Sequence, residues 1–309
     1  MQEGSDRVET LDQPPAHRPQ ARREGQISFL DKAAGEARHR RGITDEGEDM
    51  IRSLWTAASG MAAQQLKIDV IANNLANVNT HGFKRSRADF QDLLYQTLKA
   101  PGATTASGNQ VPTGIQVGMG TKAVSVQKLF SQGDYVETKN DLDFAIEGKG
   151  FFKILSNGDE VYMRAGAFKM DSEGYICTAN GDRLQPEFAI PADTVSISVD
   201  SGGRLVAIGS DGTEISSTNV TLYSFANPAG LMSVGGSRYK PTDASGDAVE
   251  ETPGVDGMGT IAQGYLEMSN VDVVREMVNM ITSQRAYEVS SKAIKAADEM
   301  LQMANSIRR

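Results

Sequence analysis

The sequence predicts an α+β protein, in which long N- and C-terminal helices form a coiled-coil-like domain and the middle of the chain forms an all-β domain. Three observations support this fold class. Apolar residues recur every seven positions near both ends of the chain. Between these segments the apolar period changes to two, which is typical of strands. The 309 residues include 31 glycines but only 6% aromatics, which favours many tight turns over a dense aromatic core.

The changes of period and composition divide the chain into five segments. Residues 1–49 are an extension, 50–85 an N-terminal helical segment, and 86–139 an extended connector with a Gly/Thr/Ser-rich loop. Residues 140–255 form the all-β domain, and 256–309 a connector followed by the C-terminal helical segment.

The extension has few apolar residues and a single aromatic one, Phe29, among mixed acidic and basic side chains. Because it cannot bury enough apolar surface to offset the loss of chain entropy, we expect disorder. A mis-assigned start codon, with translation beginning at Met50, is the interpretation we favour for residues 1–49. A genuine N-terminal extension is the alternative.

The N-terminal helical segment carries an apolar seam. Its members are Leu54, Met61, Ile68 and Leu75 at seven-residue intervals, with Ile71 and Val78 three residues after members of that series. We predict a helix over residues 52–79, about 42 Å long at 1.5 Å per residue. Gly82 is placed to end it, since glycine adopts the left-handed conformation of a helix C-cap.

Three asparagines, Asn73, Asn74 and Asn77, flank this seam. Asparagine disfavours a helix interior because its amide competes for backbone groups. A polar residue beside a helix seam can fix the register of paired helices at a cost in stability. Our hypothesis is that these three amides fix the register between neighbouring copies of the chain.

The C-terminal helical segment repeats the pattern. Its seam consists of Val273, Met280, Tyr287, Ile294 and Leu301. We predict a helix of about 37 residues, roughly 55 Å long, with Ser269 or Asn270 as its N-cap. Neither helix can bury its seam alone. The most economical burial is therefore of the two helices against each other and against further copies of the chain.

The central segment reads as strands and hairpins. Leu142, Phe144 and Ile146 alternate with polar residues, so Asp141 and Asp143 are expected on a solvated strand face. Turns are predicted around Asn157-Gly158 and at 201–203. Residues 99–120 are rich in Gly, Thr, Ser and Pro and predict a long loop.

Candidate chemistry is nearly absent from the sequence. Cys177 is the only cysteine, the three histidines are scattered, and no GxSxG, HExxH or CxxC motif occurs. The "EGKGFF" stretch lacks the spacing of a phosphate-binding loop. We therefore expect no catalytic residues, no cofactor and no metal. The net charge of -9 argues against a nucleic-acid partner, and no apolar run is long enough for membrane insertion.

Several motifs resemble those of one family. Residues 58–85, "ASGMAAQQLKIDVIANNLANVNTHGFKR", resemble the N-terminal signature of the flagellar basal-body rod and hook family, with its ANNxAN and TxGFK motifs. Residues 266–302 resemble the matching C-terminal signature, and "EGKGFF" and "RAGAF" are similar to elements of its β domain. The resemblance runs from Met50 to about residue 308, in the same order along the chain.

The resemblance implies a structural subunit and not an enzyme. The subunit would polymerise into the distal part of the rod, a hollow helical drive shaft that spans the periplasm and transmits torque from motor to hook. The loop at 99–120 would bridge subunits. The implied partners are further copies of the chain, proximal rod proteins, the hook protein, and the surrounding periplasmic and outer-membrane ring proteins. Export would use the flagellar type III apparatus, which needs no conventional signal peptide.

Two groups of alternatives stay open at this stage. One alternative is a proximal rod or hook-type axial protein of the same family. In a different class, a secreted β-rich cell-wall enzyme or an adhesin would share the β domain or the heptads.

Overall fold

The computed structural model describes residues 51–102, 110 and 112–307. The chain divides into two units, Met1–Ser53 and Leu54–Arg309. Of the first unit, residues 51–53 are described and are helical. The extension predicted to be disordered, residues 1–49, lies outside the described residues.

One helix lies at each end of the second unit. Helix α1 covers residues 51–76, of which those from Leu54 onward belong to this unit, and α2 covers Val273–Ile307. The strands between them are β1 (Ser86–Asp92), β2 (Tyr95–Lys99), β3 (Ile115–Gly118), β4 (Thr121–Lys128), β5 (Tyr135–Glu137), β6 (Phe144–Glu147), β7 (Phe152–Ser156), β8 (Asp159–Met163), β9 (Lys169–Met170), β10 (Ile176–Cys177), β11 (Arg183–Gln185), β12 (Thr194–Val199), β13 (Arg204–Gly209), β14 (Glu214–Asn219), β15 (Leu222–Ser224), β16 (Met232–Gly235), β17 (Arg238–Lys240), β18 (Val249–Glu251), β19 (Thr260–Gln263) and β20 (Tyr265–Glu267). A short 3₁₀ helix covers Pro228–Gly230. This order of elements confirms the α+β class.

The two helices lie antiparallel. A Cβ atom added to Gly60 of α1 would lie 3.6 Å from Ser290 Oγ of α2. Fourteen residues further along α1 (74 − 60), the Asn74 Nδ2 atom lies 3.4 Å from Glu276 Oε2 of α2, which is fourteen residues back along that helix (290 − 276). The chain therefore returns along α1, and the two helices cover part of each other's surface.

The helix ends differ from the prediction. Helix α1 ends at residue 76, and residues 77–82 form turns. Gly82 (φ 65°) donates its N–H to Glu267 O at 2.8 Å, and a Cβ atom there would lie 2.5 Å from Ala165 N. Only glycine fits at position 82, because the backbone of Ala165 lies too close for a side chain. The predicted role of Gly82 as the C-cap is wrong, since α1 ends six residues earlier. Asp272, not Ser269 or Asn270, caps α2, since its Oδ1 accepts the N–H of Arg275 at 3.1 Å.

The β domain is built around two clusters of buried side chains. A seven-stranded sheet has the order β16-β17-β8-β7-β11-β10-β9, and a three-stranded sheet has the order β12-β13-β14. The larger cluster includes Phe144, Ile146, Phe152, Ile154, Phe168, Leu205 and Leu222. The second is mainly aromatic, with Phe151, Tyr162, Tyr223, Phe225 and Tyr239. The sequence has few aromatic residues, but many of them are concentrated in this second cluster, so part of the core is densely aromatic.

The hairpin predictions are confirmed and one face assignment is wrong. Asn157 (φ 52°) and Gly158 (φ 88°) connect β7 to β8, and Gly203 (φ 83°) completes the turn between β12 and β13. Positive φ at both central residues is the geometry that tight hairpins favour. Asp143, expected in solvent, is buried at 7% exposure and accepts a hydrogen bond from Asn140. The alternation of apolar and polar residues does not predict this burial, because β6, which follows Asp143, is buried on both faces.

The predicted loop at 99–120 is partly a hairpin. Strand β2 pairs with β3, so Ile115–Gly118 is a strand and not a loop. Strand β1 pairs along its length with β4, from Ser86↔Lys128 to Asp92↔Thr121. Residues 103–109 and 111 lie outside the described residues.

Candidate assembly surface and its joint

The described residues offer surfaces for protein contact in place of a chemical site. In residues 51–102, 110 and 112–307, no group of His, Cys, Asp and Glu side chains is arranged to hold a metal ion. None of the helices in this part of the chain is long and apolar enough to cross a bilayer. Cys177 is buried with a free thiol, and burial raises its pKa.

A stripe of apolar side chains lies exposed along α2. The α2 stripe consists of Val274 (72% exposed), Met277 (51%), Val278 (54%), Ile281 (55%) and Val289 (65%). Its members are spaced by three, four or multiples of these, so they share one side of the helix. Contiguous exposed apolar surface of this kind marks a site of protein contact.

The opposite side of α2 is buried and made of small or polar residues. Ser283 and Ala297 are 1% and 3% exposed, and Glu276 is 2% exposed. Their positions differ by multiples of seven, and Ser290 near Gly60 of α1 occupies the same line. Small side chains on this line allow the backbones of the two helices to approach closely. The Ser283 Oγ atom is buried without a hydrogen-bond partner, which leaves an unmet polar group inside this contact.

The predicted seam residues lie between these two sides or at the helix contact. Ile71 is buried at 4% exposure, and Val273 and Tyr287 are both 38% exposed. The half-buried members are Leu54, Met61, Ile68, Leu75, Val78, Met280, Ile294 and Leu301. The assignment of these residues to contacts between copies stays a prediction. Sequence reasoning missed the α2 stripe, although the spacing of Val274, Val278 and Ile281 was a usable signal.

A second apolar surface belongs to the β2–β3 hairpin. The hairpin surface consists of Leu94 (87% exposed), Tyr95 (56%), Leu98 (53%), Ile115 (53%) and Met119 (37%). At the base of the hairpin, Ser59 Oγ of α1 accepts the Thr121 N–H at 3.2 Å. The start of β4, which follows the hairpin, is therefore bonded to α1, and the apolar side chains of the hairpin are exposed.

The three asparagines divide into two kinds. Asn74 is 1% exposed, donates from Nδ2 to Ser86 O at 2.8 Å, and accepts the Ser86 N–H at 2.8 Å. Its amide thus imitates a strand partner for the first residue of β1. Asn77 instead donates to the backbone O and the side-chain Oδ1 of Asn73 at the solvent-exposed surface. Asn74 has these hydrogen bonds inside the chain, and the register hypothesis stays a prediction for all three asparagines.

A buried ion triad joins the helical end of the unit to the β domain. Lys84 Nζ donates to Glu267 Oε1 at 2.6 Å, and Arg164 Nε donates to Glu267 Oε2 at 2.8 Å. The side chains of Lys84 and Glu267 are 0% exposed and that of Arg164 is 4% exposed. Lys84 lies two residues before β1, Arg164 follows β8, and Glu267 ends β20. We call this cluster the joint.

The joint holds two cations against one carboxylate. Burial by itself would raise the pKa of Glu267, but the charges of Arg164 and Lys84 outweigh it and lower that pKa. Burial lowers the pKa of Lys84, attraction to Glu267 offsets this only in part, and repulsion by the charge of Arg164 lowers it further. Backbone oxygens supply the remaining acceptors. Lys84 donates to Ser131 O, and Arg164 donates to the carbonyls of residues 146, 148 and 150.

A second polar cluster adjoins the start of α2. The Asn270 side chain accepts the Arg85 N–H at 2.8 Å and donates to Leu129 O at 2.8 Å. Arg85 Nη1 lies 3.5 Å from the buried carboxylate of Glu276. The chain segments that follow α1 and precede α2 are thus held to each other and to the end of β4.

A helix with an exposed apolar stripe, fixed through a buried joint to a β domain, is typical of a protein that binds other proteins. Three family models match the chain in order. They are the flagella basal body rod protein at residues 54–84, the flagellar hook protein FlgE/F/G D1 domain at 145–207, and the flagellar basal body rod FlgEFG protein C-terminal at 262–307.

Curated relatives identify the particular kind of protein. The flagellar basal-body rod protein FlgG of Caulobacter vibrioides is 47% identical over 84% of this chain and 100% of its own length. FlgG of Borreliella burgdorferi is 46% identical and FlgG of Buchnera aphidicola from Schizaphis graminum is 43% identical, each over the same shares of the two chains. The chain belongs to the flagellar basal-body rod protein family. This membership confirms the predicted resemblance and the prediction of a structural protein that is not an enzyme.

Proposed function

We propose that the chain polymerises into the distal part of the flagellar rod, a hollow helical shaft that transmits torque from the motor to the hook. The observation that carries this proposal is the α2 stripe, which is exposed among residues 51–102, 110 and 112–307. Names of the relatives support the rod as the place of assembly. Neither the cell-wall enzyme nor the adhesin alternative is favoured by these matches.

The proposed contact between copies is heterologous. A surface that binds a different surface of the next copy, without closing a ring, generates an open helical filament. In the part of the chain that the structure describes, α1 covers one side of α2, and the α2 stripe on the other side is exposed and available to a neighbour. The predicted seam residues at the edges of the α1–α2 contact would extend this packing into a coiled-coil-like inner layer.

The hairpin surface is the proposed second contact. Leu94, at 87% exposure, lies in this group of exposed apolar side chains, and an exposed apolar patch, unlike a single exposed leucine, indicates a site of protein contact. Contacts by this hairpin would connect neighbouring copies outside the helical layer. The predicted bridging role of residues 99–120 belongs to the same proposal, with the described strands β2 and β3 as its support.

The proposed location and partners follow from position in the rod. We propose export by the flagellar type III apparatus, a location across the periplasm, and contacts with proximal rod proteins, the hook protein and the surrounding rings. The predicted segment boundaries at 49, 85, 139 and 255 are kept as the proposed division of the chain.

Electron cryo-microscopy of purified basal bodies tests this function. We expect density for the chain in the distal rod, with α1 and α2 lining the channel and the β domain outside. A strain that lacks the chain should stop assembly before the hook. Basal bodies with a complete rod that lacks the chain would contradict the proposal.

A further inference from the structure

The joint lies where three connections between the helical part and the β domain meet. Lys84 is in the connection from α1 to β1, Ser131 and Gly133 are in the connection after β4, and Glu267 is in the connection to α2. We propose that Lys84 and Glu267 are positioning residues that hold the β1–β4 sheet, with its attached helices, in one orientation on the β domain. This inference concerns the geometry of the free chain and goes beyond the proposed function.

The chemistry of the joint favours positioning over simple stabilisation. Apolar contact is non-directional, so an apolar joint would tolerate several orientations at similar free energy. A buried charge is costly unless its hydrogen bonds are complete. Glu267 Oε1 accepts from both Lys84 Nζ and Gly133 N at 2.6 and 2.9 Å, and Oε2 accepts from Arg164.

Rotation of the sheet would therefore break more than one interaction. Lys84 Nζ and Gly133 N both donate to Glu267 Oε1, and Lys84 is 0% exposed, so water cannot replace the lost acceptor without opening the joint. Arg164 is anchored to the β domain by three carbonyls, so the carboxylate cannot follow Lys84 without leaving Arg164. One orientation satisfies all these groups together.

The orientation matters for the polymer. If the helices and the β domain contact different neighbours, the angle between them decides whether both contacts form at once. A loosened joint would leave each contact surface intact and yet allow subunits of variable shape. This consequence rests on the proposed function, whereas the positioning itself does not.

The test measures the orientation in the free chain by pulsed electron paramagnetic resonance. Spin labels are placed at Ser125→Cys on β4 and Asp211→Cys beyond β13, both exposed, with Cys177→Ala as background. Lys84→Met removes one of the two cations and leaves the neutral pair Arg164–Glu267, so this variant is expected to fold. The matched control is Lys240→Met, which removes a solvent-exposed pair with Asp159.

We expect a narrow distribution of the distance between the two spin labels in the labelled parent chain and in Lys240→Met. In Lys84→Met we expect this distribution to be shifted or broadened. A broad distribution in the parent, or an unchanged one in Lys84→Met, would overturn the proposal. If circular dichroism shows that Lys84→Met does not fold, Lys84→Gln replaces it. An unchanged distance distribution in Lys84→Gln would then overturn the proposal in the same way. A broadened distribution in a chain that never forms rods would leave the positioning intact and refute only the proposed function.

Discussion

At the scale of single residues, polar side chains with partners far along the chain determine how the segments meet. Asn74 binds the backbone of Ser86, and Glu267 binds Lys84 and Arg164. Each group is nearly inaccessible to water, so truncation leaves a buried donor or acceptor without a partner. Truncation of an exposed asparagine such as Asn73 leaves no buried group without a partner, because water reaches the site.

Asn74→Ala should lower the free energy of unfolding by about 1–3 kcal/mol, because the N–H and C=O of Ser86 lose their buried partners. Asn73→Ala is the matched control and should change it by less than about 0.5 kcal/mol. Urea unfolding followed by circular dichroism measures both. Equal effects at the two positions would show that Asn74 does not tie β1 to α1.

The joint also predicts a dependence on pH. The pKa of Glu267 is lower in the folded chain than the usual value of about 4.3, so its contribution to stability is present above that value. This contribution is lost as the pH falls through the lower, folded pKa.

Glu267→Gln should cost about 3–5 kcal/mol at neutral pH, since two buried cations lose their counter-charge. The variant should also lose stability less steeply than the parent as the medium is acidified. Denaturant unfolding between neutral and strongly acidic pH measures this slope, with the exposed Glu250→Gln as control. A slope that is unchanged in Glu267→Gln would contradict the charge state assigned to the joint.

At the scale of elements, α2 has two sides with separate roles. The line of Ser283, Ser290 and Ala297 is turned to α1, and the α2 stripe is turned to solvent. A change on the first side should affect the fold, whereas a change on the second should affect only association.

Ile281→Lys should abolish polymerisation and leave the unfolding free energy within about 0.5 kcal/mol of the parent, because an exposed charge costs the free chain little. Sedimentation of polymer and motility of a complemented strain are the readouts. Thr213→Lys adds the same charge at an exposed position of the β domain, away from α2, and serves as control. Normal rods from Ile281→Lys would exclude the stripe as an assembly surface.

At the scale of the whole molecule, each chain carries a formal net charge of -9. Copies brought together in a polymer repel one another through this charge, and salt screens the repulsion over about 10 Å at 0.1 M. Assembly driven by apolar surface should therefore improve as salt is added.

The critical concentration for polymerisation of the purified chain should fall between low and physiological ionic strength. Light scattering at a series of protein concentrations measures it, with sodium chloride as the only variable. A critical concentration that rises with salt would mean that attraction between opposite charges, and not the apolar stripe, holds neighbouring copies together.

The sequence alone determined the order helix, β domain, helix, the hairpin turns at 157–158 and 201–203, and the family. These features depend on local periodicity, turn residues and short motifs, which can be recognised without knowing what each segment contacts. The tertiary structure decided which side of α2 is free, why Gly82 is a glycine, and that Asn74 and Lys84 act inside the chain. Lys84 and Glu267 are 183 residues apart, and no local pattern indicates that two such charges will meet in a buried space.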